Sequence, residues 1–265
     1  MKDMVNNVKI SIITVCLNAE NTITKTIQSV LLQNYGDWEY IIMDGQSIDK
    51  TMDVIHEALE VHGNSKRVQV FSEKDKGLYQ AMNKAMDICS GEYVLFLNSG
   101  DEFASNTVIT EVVNAIADIN RNRACNRVEL AYGNVIRLYR DGNKLEKYLG
   151  KHRVFRMLMM GKMPCHQVIF TRIDVMRKYR FDESYQICAD FDFLVRCKKG
   201  NVKMFYFDID VSKVDCVEGI SSQRMNLERM RKEDDRSIRD HYRIMYYLMW
   251  VVKWAVRRVG DRVRR

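Results

Sequence analysis

The first hundred or so residues alternate between β-rich apolar runs and segments with helical spacing, and nothing else in the chain constrains its fold as tightly. Residues 8–17 form a near-continuous run rich in Val, Ile and Thr. That is the pattern of a strand buried on both faces. In 21–33, Ile23, Ile27, Val30 and Leu31 recur at helical spacing. The same reading predicts a strand at 38–43, a helix at 48–59, a strand at 68–71, a helix at 78–89 and a strand at 93–97. This rhythm implies βαβ units, hence an α/β chain with a mostly parallel central sheet covered by helices. In such sheets ligands sit beyond the carboxyl ends of the strands.

The residues at those ends are polar and mostly acidic. Asn18 follows the first strand, Asp44-Gly45-Gln46-Ser47-Ile48-Asp49 the second, Ser72-Glu73-Lys74-Asp75-Lys76-Gly77 the third, and Asn98-Ser99-Gly100-Asp101-Glu102 the fourth. One acidic turn means little, because turns favour Asp and Gly anyway. Four at the ligand edge of one sheet point to a site. A dinucleotide-binding domain would need a Gly-rich turn after the first strand, and Cys16-Leu17-Asn18-Ala19-Glu20-Asn21 has no Gly. The phosphate-binding P-loop pattern is also absent. The expectation is a nucleotide held by acidic loops, with a divalent cation bridging its phosphates.

These motifs carry a family resemblance. Thr14-Val15-Cys16-Leu17-Asn18, the segment from Asp44 to Thr51, Asp75-Lys76-Gly77 with Ala81-Met82-Asn83-Lys84, and Leu97-Asn98-Ser99-Gly100-Asp101 together resemble the family 2 glycosyltransferases, inverting enzymes of the GT-A fold. The resemblance is strong through about residue 103. It resumes at Cys165-His166-Gln167 and at Ala189-Asp190-Phe191-Asp192-Phe193 with Arg196, and ends weakly near Glu218-Gly219-Ile220-Ser221. It implies a nucleotide-sugar donor, UDP-sugar by preference, and places Thr14, Asn18, Asp44, Asp75 and Asn98 around it, with Asp44 reading the uracil ring. Asp101 matches the metal-holding acid, for Mg²⁺ or Mn²⁺. The Asp-x-Asp pattern is broken here by Asn98 and Gly100, giving a lighter clamp. A single carboxylate suffices where phosphates and waters complete the shell. Asp190 matches the catalytic base, although an acid at a helix start is also an ordinary cap. Asp192 is the second candidate for that role. His166 is placed against diphosphate or acceptor, and Arg196 reads as an i,i+4 partner of Asp192. A non-catalytic nucleotide-sugar-binding or assembly protein with a decayed clamp is the alternative from another class.

Charge and cysteines bound the setting. Residues 221–265 hold thirteen Lys and Arg against six Asp and Glu, which accounts for the whole net charge of +7. A nucleic-acid partner is therefore not expected, since such proteins carry their charge on the folded face. Seven cysteines without C-x-x-C spacing fit reduced thiols in a cytosol. No secretory leader is expected, because the first apolar run is short and reads as a strand. The expected organisation is a GT-A domain over 1–220, with a nucleotide-sugar half at 1–103 and an acceptor half at 104–220, followed by a basic helical tail at 221–265. Within it, 241–265 reads HYRIMYYLMWVVKWAVRRVGDRVRR, with a nine-residue apolar stretch between Tyr, Trp and cationic residues. That is too short to span a bilayer but suits a helix lying on an anionic membrane surface. The other occupants of its apolar face are the catalytic domain and a second subunit of a homo-oligomer. The expected place is cytoplasmic, at the inner face of the cell membrane, with a glycan or lipid-linked acceptor.

Overall fold

The computed structural model describes residues 8–62, 65–122, 127–139, 142–146, 153–216, 226–244 and 246–247. In chain order the elements are β1 (Ile10–Cys16), α1 (Ile23–Leu31), β2 (Trp38–Asp44), α2 (Thr51–His62), β3 (Val68–Ser72), α3 (Leu78–Ile88), β4 (Tyr93–Phe96), β5 (Glu102–Phe103), α4 (Val108–Asn122), β6 (Leu130–Tyr139), β7 (Gly142–Glu146), α5 (Arg153–Met159), β8 (Ile169–Arg172), α6 (Ile173–Tyr179), α7 (Ala189–Lys199), β9 (Met204–Asp215) and α8 (Leu227–His241). The strand–helix alternation is present as the periodicity predicts. The largest boundary shift is at α2, which starts three residues after the predicted Ile48. The carboxylate of Asp49 accepts from the Thr51 N–H at 3.0 Å and from its hydroxyl, so it caps the helix from outside and leaves Ile48 in the loop.

One sheet runs β3-β2-β1-β4-β8-β6-β9-β5, with β7 paired to β6. The first four strands are all parallel. Their core residues Ile10, Ile12, Ile13, Tyr40, Ile41 and Ile42 are fully buried, each aliphatic side chain contributing roughly 1.5–3 kcal/mol. At the edge away from the ligand side, Glu39 takes hydrogen bonds from Ser11, Ser90 and Lys9. Burial raises its pKa, but these bonds prevail and hold it at about 2. Gly91 passes so close that a Cβ there would lie 2.6 Å from the Ser11 nitrogen.

Two features of the topology build the site. Strand order reverses at β1, which has β2 on one side and β4 on the other, and such a switch point opens a crevice at the strand ends. Then β8 pairs antiparallel with β4 through Tyr93↔Arg172 and Val94↔Thr171. An antiparallel neighbour begins where β4 ends, so the short helical turn His166–Val168 before β8 lies beside the residues that follow β4. In the same way β5 pairs antiparallel with β9, bringing Asp215 to the clamp.

Candidate active site

The loops after β1 and β2 are zipped together. Asn18 sits at φ 52°, a left-handed conformation that Asn tolerates. Its backbone N–H donates to the Ser47 hydroxyl at 2.7 Å, and its side-chain oxygen accepts from the Ile48 N–H at 3.0 Å. Asp44 is fully buried at the end of β2. Its carboxylate accepts from the Ser47 N–H at 3.0 Å, the Ser47 hydroxyl, the Ser72 hydroxyl at 2.7 Å and the Cys16 thiol at 3.8 Å. Burial, reinforced by Asp44, pushes that thiol up to about 12, so it stays a neutral donor. Asp75 accepts from the Gly77 N–H at 2.8 Å. Its other oxygen stands against Gly45, where an added Cβ would lie 2.8 Å away. Gly45 thus lets the third loop close onto the second. Leu17 and Ile48 are exposed at the mouth of these loops, Ile48 by 93%. Sequence reading assigned neither of them to the site.

Thr14 is not brought to the cleft. It is fully buried; its hydroxyl donates to the Leu97 carbonyl at 2.7 Å and accepts from the Tyr40 hydroxyl at 2.9 Å. It acts from beneath, fixing the residue that precedes Asn98.

Asn98, His166 and Asp190 do meet. The Nδ1 of His166 is 2.9 Å from Asp190 Oδ2, and its Nε2 is 2.9 Å from Asn98 Nδ2. The carboxylate accepts, so Nδ1 carries the hydrogen and Nε2 accepts from the Asn98 amide. Asp190 opens α7, where its other oxygen accepts from the Phe191 N–H at 2.8 Å. Tyr79 of α3 donates to the Ile187 carbonyl and reaches Asp190 Oδ1 at 3.4 Å. The segment before Asp190 is held from α8. Glu233 accepts from the N–H groups of Gln186, Ile187 and Cys188 at 3.0, 3.0 and 2.9 Å. Nothing local in the sequence marks Glu233, which lies in a run of mixed charges.

Asp101 is 5% exposed. It accepts from the Gln167 side-chain amide at 2.8 Å and from the Asp215 N–H at 3.2 Å. Burial raises its pKa to about 6, against the opposing pull of the Gln167 amide. Gly100 adopts φ +94°, so a second acid there would be strained, although the space beside it is open to 3.5 Å from the Thr22 Cβ. Among the described residues no cluster of three or more His, Cys, Asp and Glu is arranged to hold a metal. The residues present still fit a hard cation. Asn98 Oδ1 is buried with no hydrogen-bond partner. One carboxylate and one orphaned amide oxygen are the kind of donors Mg²⁺ or Mn²⁺ takes when phosphate and water supply the rest.

Loops after four parallel strands, an acid at a helix start and an oxygen-rich clamp gather at one edge of a mixed α/β fold. The chain belongs to glycosyl transferase family 2, whose sequence profile matches residues 11–180, and it is a transferase with a GT-A-like fold. It is 26% identical over 224 residues to the PGL/p-HBAD biosynthesis glycosyltransferase of Mycobacterium bovis (strain BCG / Pasteur 1173P2), covering 84% of this chain and 82% of the relative. The putative teichuronic acid biosynthesis glycosyltransferase TuaG of Bacillus subtilis (strain 168) is 29% identical over 141 residues, covering 53% of this chain and 52% of its own. Among solved structures, S. aureus TarS 1-349 in complex with UDP superposes with a TM-score of 0.62 at 16% identity over 88% of this chain, which spans just under two thirds (66%) of that one. The mannosyltransferase PcManGT from Pyrobaculum calidifontis in complex with GDP-Man and Mn²⁺ gives a TM-score of 0.57 at 14% identity, over 77% of this chain and 56% of that one.

Proposed function

We propose that this transferase moves a sugar from a nucleotide-sugar, by preference a UDP-sugar, to an acceptor hydroxyl with inversion, in the synthesis of a cell-surface polysaccharide or lipid-linked glycan. The observation that carries this reading is the meeting of Asp190, His166 and Asn98, with Asp101 close by, at the seam between β4 and β8. This supports reading Asp190 as the acid of the acceptor side, next to an oxygen clamp on the donor side. The names of the relatives support the product class: one concerns PGL/p-HBAD biosynthesis and one teichuronic acid biosynthesis. TarS has been solved with UDP-GlcNAc, which supports a UDP-sugar.

In this reading Asn18, Asp44 and Asp75 line the nucleoside and donor side, and Thr14 supports Asn98 from below. Asp101 and the Asn98 oxygen would hold a divalent cation, which would supply charge stabilisation on the diphosphate leaving group. Asp190 takes the proton of the acceptor hydroxyl as that oxygen attacks the anomeric carbon from the face opposite the diphosphate. The new C–O bond forms as the bond to the phosphate oxygen breaks, and the nucleoside diphosphate leaves with the electron pair. In this reading the GT-A domain is 1–220 and 221–265 its extension, of which 226–244 and 246–247 lie within the described residues.

The tail reading places the protein on the cytoplasmic face of the membrane, near a lipid-linked acceptor. No helix among the described residues is long and apolar enough to cross a membrane. Most of 241–265 lies outside the described residues. Of those described, Tyr242 packs edge-on against Phe155 at 5.4 Å, while Ile244 is 80% exposed. The test of the whole reading is turnover of nucleotide-sugars with and without Mn²⁺ for wild type, Asp190→Asn and Asp101→Ala. Asp190→Asn is expected to bind donor normally and lose roughly 10²-fold or more in turnover. Asp101→Ala is expected to be inactive. Near-normal turnover in either variant would overturn the role given to that residue.

A further inference from the structure

We propose that His166 is a positioning residue whose single ring tautomer orients both the base Asp190 and the clamp amide Asn98. This rests on reading Asp190 as the base.

Both ring nitrogens are committed, each at 2.9 Å. His166 is therefore free neither to deprotonate an acceptor nor to ligate a cation. What it does instead follows from the polarity of its two bonds. By donating from Nδ1 it captures Asp190 Oδ2. The helix N–H of Phe191 captures Oδ1 at 2.8 Å. Held at both oxygens, the carboxylate cannot rotate, and its remaining lone pairs have fixed directions. By accepting at Nε2, the same ring requires Asn98 to present its N–H₂ group. The Asn98 carbonyl oxygen must then face the other way, and it is this oxygen that is buried and has no partner. The opposite tautomer would reverse both: Nε2–H would demand the amide oxygen, and a bare Nδ1 would face a carboxylate. One proton position on one ring thus aligns the acceptor-side acid and the donor-side oxygen.

The ring itself is anchored by its neighbours. The turn carrying it closes with the Val168 N–H on the Cys165 carbonyl at 3.1 Å. The next residue, Gln167, is tied to Asp101 at 2.8 Å.

The experiment separates the two ends of the ring. H166N places an amide near the Nδ1 position and H166Q places one near the Nε2 position, while H166A removes both. H166A is expected to lose roughly 10- to 100-fold in kcat, the scale for removing an outer-shell partner, with the KM for donor changed less than threefold. H166N should recover most of kcat but bind Mn²⁺ with UDP more weakly than wild type by calorimetry. H166Q should show the reverse, with near-normal Mn²⁺ binding and low kcat. In ligand-free protein, ¹⁵N NMR should show one histidine, missing in H166N and H166Q, with Nδ1 protonated and Nε2 bare. A kcat for H166A within twofold of wild type overturns the inference. So does an Nε2-protonated tautomer, or H166N and H166Q behaving alike. If H166A does not fold, the H166N–H166Q contrast and the NMR signal still decide. Asp190→Asn run alongside keeps the two readings apart: normal turnover there sinks the base, whereas its loss beside a normal H166A sinks only the role of His166.

Discussion

The variant Asp192→Asn tests whether the second acid of α7 is structural. Asp192 is 1% exposed. It accepts from Arg196 Nε at 2.5 Å on one oxygen, and from Ser237 at 2.7 Å and His241 at 3.1 Å on the other. Burial raises its pKa, but the bonds from His241, Arg196 and Ser237 outweigh it and bring the group to about 2, from 3.8. A shift of that size corresponds to about 2 kcal/mol of stability. The substitution also leaves the half-buried Arg196 beside a neutral group, and breaking one side of a buried pair costs about 3–5 kcal/mol in full burial. Since Asn keeps one acceptor and Arg196 keeps the carbonyls of Tyr179 and Arg180, the expected loss is about 2–4 kcal/mol. The sign with pH follows from the depressed value. The contribution is fully present above about pH 4 and disappears as pH falls toward 2, so the gap between wild type and variant should narrow there. Ser237 and His241 belong to the end of α8, and Glu233 on the same helix holds the segment before Asp190. Loosening of α8 should therefore appear as faster proteolytic cleavage within 227–241. Urea unfolding at pH 7 and pH 3, read beside limited proteolysis, makes the measurement. A variant within about 0.5 kcal/mol of wild type at pH 7 would refute the reasoning, as would a gap that does not shrink at pH 3.

Gly100→Asp, which restores the second acid to the clamp, is expected to lower stability by roughly 1–3 kcal/mol through backbone strain without tightening Mn²⁺; tighter binding with unchanged melting would show that φ +94° is no obstacle. Asp101 has a raised pKa of about 6, so its ionisation opposes folding of the metal-free protein. Thermal stability without metal should rise as pH is lowered from 7.5 to 5.5, and Mn²⁺ affinity should fall over the same window; calorimetric titrations at both pH values check it. Deleting 248–265 should abolish binding to anionic vesicles at low salt while donor hydrolysis persists, and full-length protein that ignores such vesicles would move the tail to a protein interface.

The parallel half of the fold was legible because its signals are local. The runs around Ile10 and Ile41, and the helical spacing of Ile23, Ile27, Val30 and Leu31, need no long-range knowledge. The i,i+4 pair of Asp192 and Arg196 was equally readable. What failed locally was the start of α2, where apolar Ile48 suggested a helix but the side chain of Asp49 capped a later one. The candidate residues were legible as strand-end chemistry, yet their facing was not. Thr14 and Asn18 are four residues apart on one segment, and the pleat and the turn send one inward and one outward. The contacts of His166 depend on an antiparallel pairing between strands more than seventy residues apart, Tyr93 with Arg172. No spacing rule within 165–167 reports that. The support from Glu233 is hidden for the same reason.

With Asp44 in its proposed place on the nucleoside side, its four donors bear on how strictly this protein would distinguish one nucleobase from another. A carboxylate has about four lone-pair sites, and here Ser47, Ser72 and Cys16 already supply four donors. Sharp rejection of a wrong ligand arises when a buried polar group is left bare by it. Asp44 is never left bare: a base with a suitable N–H exchanges places with a resident donor, most readily the weak thiol, and a base without one leaves the loop as it was. Base preference at this acid should then be shallow, on the order of tenfold or about 1.4 kcal/mol. Competition of UDP and GDP for the same site measures it, and a preference above roughly 10³-fold would mean that the loop reopens to offer Asp44 outright.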